Sequence, residues 1–249
     1  MRLPSVDAAR LFLDPIRSFS PAVFAHAVGA KRGGVKLGSD LFDLESRTIA
    51  LAPGAMVLRN FAAADAVALL AGVADIEQCA PFRHLITPGG FRMSVAMTNC
   101  GAVGWVSDRT GYRYDREDPD TGLEWPPMPS TFRRAAVAAA AAAGFDRYEP
   151  DVCLINRYEP GARLSLHQDR NELDDEAPIV SVSLGLPAVF QFGGLKRSDR
   201  CARVPLEHGD VVVWGGPSRM RFHGVLPLAE GCHPELGRKR INLTFRTAR

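Results

Sequence analysis

Arg-Ile-Asn-Leu-Thr-Phe-Arg, from Arg240 to Arg246, is the stretch that decides the fold of this chain. Side chains alternate between the two faces of a β-strand, so four polar residues share one face and three apolar residues share the other. Taken alone, this alternation is typical of an edge strand whose polar face meets water. Two arginines on one face can instead bind a dianion, because a guanidinium pairs with a carboxylate through two parallel hydrogen bonds. A small dicarboxylate would suit a pocket built on this strand.

The composition is that of a soluble globular protein, with 249 residues, 46% apolar and 23% charged. This length allows one large domain or two small ones. A net charge of +2 permits a nucleic-acid partner without requiring one. Five cysteines without paired spacing argue against a disulfide framework and a zinc ribbon, and favour a reducing cytoplasm. No stretch has the apolar length of a membrane span, so no membrane partner is expected.

The chain divides into an extension and one folded domain. Residues 1–50 are basic, glycine-rich and weakly periodic, which predicts a poorly ordered N-terminal extension. Residues 51–249 are predicted to form the domain, which the chain enters through a short strand over 56–59.

Two helices and one further strand are predicted in the first half of this domain. Apolar residues recur at helical spacing over 62–77, with Asn60 as the candidate N-cap. An alanine-rich run predicts a second helix, with Ser130 as its cap and Gly144 as its C-terminal stop. A strand is predicted over 91–99.

Strands and turns alternate through the second half. Eight short strands are predicted, over 152–158, 163–167, 179–184, 187–192, 203–206, 210–214, 220–227 and 240–247. This number of short strands, punctuated by glycine and proline, indicates a double-sheet jelly roll or a related barrel.

A candidate metal site combines His167, Asp169 and His223. The first two are two residues apart, so on an extended backbone both face the same way, and His223 opens a strand well downstream. Two histidines and one carboxylate form the facial triad of non-haem Fe(II) oxygenases, which leaves positions open for substrate and O₂. A His-x-Asp pair alone is weak evidence, and the distant histidine and the arginine strand strengthen it. No metal binding is expected of the other histidines, which are His26, His84, His208 and His233.

Two other strands carry polar side chains on alternate positions. Asn156 and Tyr158 point the same way as Leu154, so an amide and a phenol can join the arginines around one ligand. Ser181 and Ser183 give a third strand the same character. A half-exposed strand shows this alternation equally often.

Arginines and aromatic residues alternate through residues 83–114. This pattern suits base stacking and phosphate contact. By composition alone it suits a solvated loop with core-anchored aromatics equally well.

Eight ordered stretches resemble one known family. They are Thr-Pro-Gly-Gly at 87–90, Met-Ser-Val-Ala-Met-Thr-Asn-Cys-Gly at 93–101, Asn-Arg-Tyr at 156–158, Leu-Ser-Leu-His-Gln-Asp at 164–169, Ser-Leu-Gly-Leu-Pro-Ala at 183–188, Gln-Phe-Gly-Gly-Leu-Lys-Arg at 191–197, His-Gly-Asp-Val-Val-Val-Trp-Gly-Gly at 208–216 and Asn-Leu-Thr-Phe-Arg at 242–246. Over roughly residues 50–247 the chain resembles AlkB, the bacterial DNA-alkylation-repair dioxygenases that use Fe(II) and 2-oxoglutarate. The resemblance implies an α+β fold: a double-stranded β-helix (jelly-roll) core at about 150–247, N-terminal helices, and a nucleotide-recognition lid at about 81–116.

The resemblance also implies roles for individual residues. Iron would be ligated by His167, Asp169 and His223, with 2-oxoglutarate and O₂ as cosubstrates. The implied 2-oxoglutarate contacts are Asn156, Tyr158, Arg240, Asn242 and Arg246, of which Arg240 pairs with the distal carboxylate. The implied substrate contacts are Met97, Trp105, Tyr112, Asn171 and Arg197. In this assignment Trp105 stacks the damaged base against His167, and Tyr112 contacts a backbone phosphate.

The activity implied is oxidative dealkylation of N-alkylated bases such as 1-methyladenine and 3-methylcytosine, with release of formaldehyde, succinate and CO₂. The expected partner is alkylated single-stranded DNA, with duplex DNA and RNA as further substrates, and the expected enzyme is a cytoplasmic monomer. Two alternatives are the same chemistry on a tRNA base or another non-DNA substrate, and a non-catalytic binding module. The complete ligand set disfavours the binding module.

Two positions depart from the family pattern. Asn171 stands where the best-known member has an aspartate near the exocyclic amine of the flipped base, which predicts a changed lesion preference. Phe91 stands where a lid tyrosine would sit, which removes one hydroxyl from a phosphate contact.

Overall fold

The computed structural model describes residues 47–249, so nearly all of the predicted extension lies outside the described residues. Its last residues are the exception, because strand β1 begins at Thr48. Within the described range, no helix is both long and apolar enough to span a membrane.

The described chain contains thirteen strands, two α-helices and one 3-10 helix. In chain order they are β1 Thr48–Ala52, β2 Ala55–Leu58, α1 Ala66–Cys79, β3 Ala96–Gly101, β4 Gly104–Asp108, β5 Gly111–Asp115, α2 Ser130–Ala142, β6 Val152–Tyr158, β7 Leu164–His167, β8 Ile179–Gly185, β9 Ala188–Phe192, β10 Ala202–Leu206, β11 Val211–Trp214, the 3-10 helix Gly216–Ser218, β12 His223–Val225 and β13 Arg240–Arg246.

Two antiparallel sheets form the core of the domain. The larger has the order β1-β2-β11-β8-β13-β6-β3, the smaller has the order β10-β9-β12-β7, and β4 and β5 form a separate two-stranded hairpin. Apolar side chains from both sheets, among them Trp214 and Phe190, pack into one cluster between them. The helices pack on the other face of the larger sheet, where Phe132 meets Phe245. This arrangement confirms the predicted α+β jelly roll.

Strand β13 lies in the middle of the larger sheet, paired with β6 on one side and β8 on the other. All seven of its residues are buried, including both arginines. Ile241, Leu243 and Phe245 pack under the helices. The polar face therefore points between the sheets, and the edge-strand interpretation is wrong.

Both helices begin differently from the prediction. Helix α1 starts at Ala66, and its N-cap position is Asp65. Asn60 does not cap it, because its backbone is left-handed and its N–H donates to the Asp210 carboxylate. In α2, Ser130 is the first helical residue and Pro129 occupies the N-cap position. A proline is tolerated there because a backbone N–H at this position makes no hydrogen bond within the helix.

The C-terminal stop of α2 is as predicted. Gly144 has a φ of 88°. Its N–H donates to the carbonyl of Ala141, and the N–H of Phe145 donates to that of Ala140, at 2.9 Å each. These two bonds form a Schellman motif, which satisfies carbonyls that the helix end leaves free.

The strand predictions fail mainly between residues 81 and 116, where a lid is predicted. The strand predicted over 91–99 is displaced to Ala96–Gly101, because residues 87–90 form a turn and Arg92 pairs back with Ile86. The hairpin of β4 and β5 was not predicted at all. The strand predicted over 220–227 shortens to three residues, with a register irregularity where β12 pairs with β7.

Candidate active site

The jelly roll brings three candidate metal ligands together: His167, Asp169 and His223, the metal group. His167 ends β7 and lies directly opposite His223, the first residue of β12. Asp169 follows two residues later, and the ligand atoms of all three lie within 4.8 Å of one another. Each histidine Nδ1 lies near a backbone carbonyl, that of Ser165 at 2.8 Å and that of Arg221 at 3.1 Å. If Nδ1 carries the proton, Nε2 presents its lone pair to the site.

The charge states of these groups suit a divalent metal ion. Burial is the main cause that lowers the pKa of His223 to about 3, and electrostatic interaction with His167 is the second. Burial alone would raise the pKa of Asp169, but Arg246 and then the two histidines hold it well below its ordinary value. A neutral imidazole and an ionised carboxylate are the forms that bind metal.

Beside this group, a cavity of about 910 Å³ extends to the polar face of β13. Arg240 lies within it, 1% exposed, and donates from Nη2 to the hydroxyl of Ser183 at 3.0 Å. Its Nε and Nη1 and the hydroxyl of Tyr158 have no hydrogen-bond partner among the described residues. Buried donors without partners are costly, so these atoms call for an acceptor from a ligand. A carboxylate supplies that acceptor, and the donor set therefore fits one end of 2-oxoglutarate.

Arg246 differs from Arg240 because a protein carboxylate already occupies it. Its Nε and Nη2 both donate to Oδ2 of Asp169, at 3.0 Å and 2.7 Å. Only Nη1 lacks a partner among the described residues, as does Oδ1 of Asn156. The strand pattern alone suggested that both arginines bind one dianion in the same way. The structure shows that they differ, because Asp169 already accepts two hydrogen bonds from Arg246. Arg246 belongs mainly to the metal group, and Arg240 is free for a ligand.

The amide of Asn242 is fixed between these arginines. It donates to the hydroxyl of Ser181 at 2.8 Å and to the carbonyl of Val182 at 2.9 Å, while its Oδ1 accepts from the hydroxyl of Thr244. Asn156 lies directly opposite Asn242 on β6. The polar faces predicted on three strands therefore line one cavity.

The residues predicted to contact substrate line the same cavity, namely Met97, Trp105, Tyr112, Asn171 and Arg197, and so does Phe91. The rings of Trp105 and Tyr112 stack at 5.6 Å and 15°. Arg197 lies over the ring of Phe222 at 5.3 Å. Phe91 is 76% exposed.

Several residues at the site were missed from sequence. The buried side chain of Asn99 holds Trp105 by accepting from its N–H and donating to its carbonyl, both at 3.0 Å. Glu172 and Arg219 contact the metal group, through Arg246 and through the carbonyl of Asp169 respectively. No local pattern distinguishes Glu172 from its acidic neighbours in residues 172–176. A second cavity of about 650 Å³, lined in part by Arg200 and Arg221, contains none of the metal-group residues.

Comparison with known proteins agrees with this geometry. The model of the 2OG-Fe(II) oxygenase superfamily matches residues 54–246. The dioxygenase AlkB of Salmonella typhimurium is 59% identical over 80% of this chain and 92% of its own length. That of Escherichia coli is 57% identical over 84% and 97%. The chain belongs to the AlkB family.

As a member of the AlkB family, the protein is an Fe(II)- and 2-oxoglutarate-dependent dioxygenase that also consumes O₂. The solved structure of OsALKBH1 matches it with a TM-score of 0.71, at 29% identity over 80% of this chain and 99% of that one. The human relative named nucleic acid dioxygenase ALKBH1 is 33% identical over 51% of this chain and 33% of its own length.

Proposed function

We propose that this AlkB-family dioxygenase oxidatively dealkylates N-alkylated bases such as 1-methyladenine and 3-methylcytosine, preferentially in single-stranded DNA. The observation that carries the proposal is one cavity shared by the stacked pair Trp105 and Tyr112 and the group His167, Asp169 and His223. An aromatic platform beside an oxidising metal centre suits a planar base.

The residues divide the task between metal, cosubstrate and base. His167, Asp169 and His223 would hold Fe(II), and Arg240 with Tyr158 would bind the distal carboxylate of 2-oxoglutarate. Fe(II) held there with 2-oxoglutarate and O₂ would supply hydroxylation of the N-alkyl carbon. A hydroxylated methyl group would leave as formaldehyde, with succinate and CO₂ as co-products. The protein would bind and orient these groups relative to one another.

A base reaches this cavity only when it leaves the stack. Leaving costs less for a single-stranded base, or for one whose methyl group already prevents pairing. N1-methylation of adenine and N3-methylation of cytosine also make the base cationic, and a cation over an indole face is attracted by the ring quadrupole. Trp105 would therefore select methylated over normal bases.

We further propose that duplex DNA and RNA are additional substrates, and that the enzyme acts as a cytoplasmic monomer. All five cysteines are free, which suits a reducing compartment. Sedimentation of the protein with and without an oligonucleotide tests the monomer.

The test of the function uses oligonucleotides that each carry one 1-methyladenine, 3-methylcytosine or ethenoadenine, with an undamaged control. The expected result is formaldehyde released in step with succinate on the two methylated single strands. Succinate without formaldehyde on all DNA strands, but formaldehyde from a methylated tRNA fragment, would overturn the DNA preference and favour the tRNA base.

Trp105→Ala should raise the KM for a 1-methyladenine oligonucleotide by roughly 10- to 100-fold. Stacking on an aromatic residue contributes about 1–3 kcal/mol per base, and each 1.36 kcal/mol is a factor of ten. Steady-state formaldehyde release measures the change. The Kd for 2-oxoglutarate is the internal control and should stay unchanged, because Trp105 lies on the hairpin and not on β13. An unchanged KM would contradict a stacking role.

Asn171→Asp should shift lesion preference towards cationic bases. Asn171 is exposed in the cavity wall, so a carboxylate there interacts with a cationic base through water-screened electrostatics of about 0.2–1 kcal/mol. The ratio of kcat/KM for 1-methyladenine to that for neutral ethenoadenine should rise up to about fivefold. Asn171→Ala is the control and should not raise it. A ratio that falls in the aspartate variant would refute this sign.

A further inference from the structure

A buried carboxylate connects the metal group to the rest of the site. The side chain of Glu172 is 2% exposed and contacts two arginines. Its Oε2 lies 3.0 Å from Nη2 of Arg219, and its Oε1 lies 3.3 Å from Nε of Arg246. A charge at this depth persists only with partners, so Glu172 and these arginines depend on one another.

Both arginines bind Asp169: Arg246 binds its carboxylate and Arg219 binds its backbone carbonyl. Arg246 donates two hydrogen bonds to the Asp169 carboxylate. Arg219, with a side chain 2% exposed, donates from Nη1 to the Asp169 carbonyl at 3.0 Å and from Nε to the Ala177 carbonyl at 3.0 Å. Glu172 thus anchors the two groups that orient the side chain and the main chain of Asp169.

The same carboxylate contacts the hairpin of β4 and β5. The hydroxyl of Tyr114 donates to Oε1 of Glu172 at 2.5 Å. Burial, partly offset by Arg246, raises the pKa of Tyr114, so the hydroxyl keeps its proton and remains a donor. Tyr114 is on β5, directly opposite Trp105 on β4. Directly opposed residues of an antiparallel pair share a face, so one hairpin carries the base platform and the contact to Glu172.

We propose that Glu172 and Tyr114 are positioning residues that couple nucleic-acid docking on the hairpin of β4 and β5 to metal binding at Asp169. The proposal rests on the nucleic-acid function above. A base held by Trp105 restricts the hairpin, and through Tyr114 it restricts Glu172 and the Asp169 carboxylate. Because the Asp169 carboxylate is then already ordered, metal binding costs less conformational entropy. Binding at either site therefore strengthens binding at the other by the same factor.

The test measures metal affinity without turnover. Mn(II), which replaces Fe(II) without supporting oxidation, is titrated into protein with 2-oxoglutarate, in the presence and absence of a saturating single-stranded 1-methyladenine oligonucleotide. In the unaltered protein the oligonucleotide should tighten Mn(II) binding about five- to tenfold, at the low end of measured couplings. In Tyr114→Phe this tightening should vanish when it is measured as the ratio of the Kd for Mn(II) without oligonucleotide to the Kd with it in the same variant.

Tyr148→Phe is the matched control. It removes the hydroxyl of another buried tyrosine, one that has no hydrogen-bond partner among the described residues and no place on the hairpin. This variant should retain the full tightening. Equal tightening in Tyr114→Phe and in the control would overturn the proposal, as would the absence of any tightening in the unaltered protein while the oligonucleotide binds. An oligonucleotide that does not bind at all would overturn the proposed function as well.

Glu172→Gln tests the metal side of the coupling. It retains the shape of the side chain but loses the charge that holds both arginines. The Kd for Mn(II) should rise roughly 10- to 100-fold even without nucleic acid, which is typical when a group that orients a metal ligand is lost. Thermal unfolding of the same sample shows whether the fold is retained. A folded Glu172→Gln protein with unaltered Mn(II) affinity would remove Glu172 from the proposal.

Discussion

Asp169→Ala is expected to abolish turnover, with succinate and formaldehyde release reduced by more than about 100-fold. Groups that only orient a metal ligand are worth about 10- to 100-fold, and a ligand is worth more. The substitution also removes the acceptor of two hydrogen bonds from Arg246, which leaves a buried guanidinium without its main partner. The measurement is product formation under saturating Fe(II), 2-oxoglutarate and methylated oligonucleotide, together with the Kd for Mn(II).

The matched control for this variant is Asp175→Ala, which removes an exposed carboxylate from the same loop. It should leave turnover and Mn(II) binding unchanged. Because a buried unpaired Arg246 can lower stability, Asp169→Asn is measured in parallel, since an amide still accepts from the guanidinium. Full turnover in a folded Asp169→Ala protein would refute the metal assignment. Intact nucleic-acid binding and cellular function with no turnover in any preparation would favour the non-catalytic binding module.

The part of the site that sequence predicted is the part that strand alternation controls. The period of two places Arg240, Asn242 and Arg246 on one face whatever the strand pairs with, and the sheet then supplies Asn156 opposite Asn242. The alternating pattern does not predict which strands pair with β13. β13 has the pattern of an edge strand but lies at the sheet centre, because its polar face meets a polar cavity and not water.

The part that could not be predicted depends on contacts between segments far apart in the sequence. Glu172 contacts Tyr114, 58 residues earlier, and no local pattern encodes that pairing. The hairpin of β4 and β5 was missed because its mixed aromatic and charged residues suit a loop equally well. Asn60 does not cap α1 because its backbone is left-handed and its N–H donates to Asp210, which lies 150 residues away.

Arg240→Leu should raise the KM for 2-oxoglutarate by at least about 100-fold while leaving the fold intact. Loss of one partner of a buried charge pair costs about 3–5 kcal/mol, and each 1.36 kcal/mol is a factor of ten. The same substitution should not destabilise the ligand-free protein. Burial, partly offset by Tyr158, lowers the pKa of Arg240, and its Nε and Nη1 have no hydrogen-bond partner among the described residues. An apolar side chain removes the cost of these unpaired buried donors.

These opposite effects separate a ligand-binding arginine from a structural one. In thermal unfolding, 2-oxoglutarate should raise the Tm of the unaltered protein through mass action and should have no effect on the variant. Arg238→Leu, which replaces a 66% exposed arginine paired with Glu230, is the matched control and should retain the full ligand shift. A low Tm in ligand-free Arg240→Leu would mean that Arg240 stabilises the sheet. Among residues 47–249, the only buried arginines that line this cavity are Arg240 and Arg246, and Arg246 already pairs with Asp169. A normal KM for 2-oxoglutarate in a stable variant would therefore mean that the distal carboxylate does not bind a buried, unpaired guanidinium of this cavity.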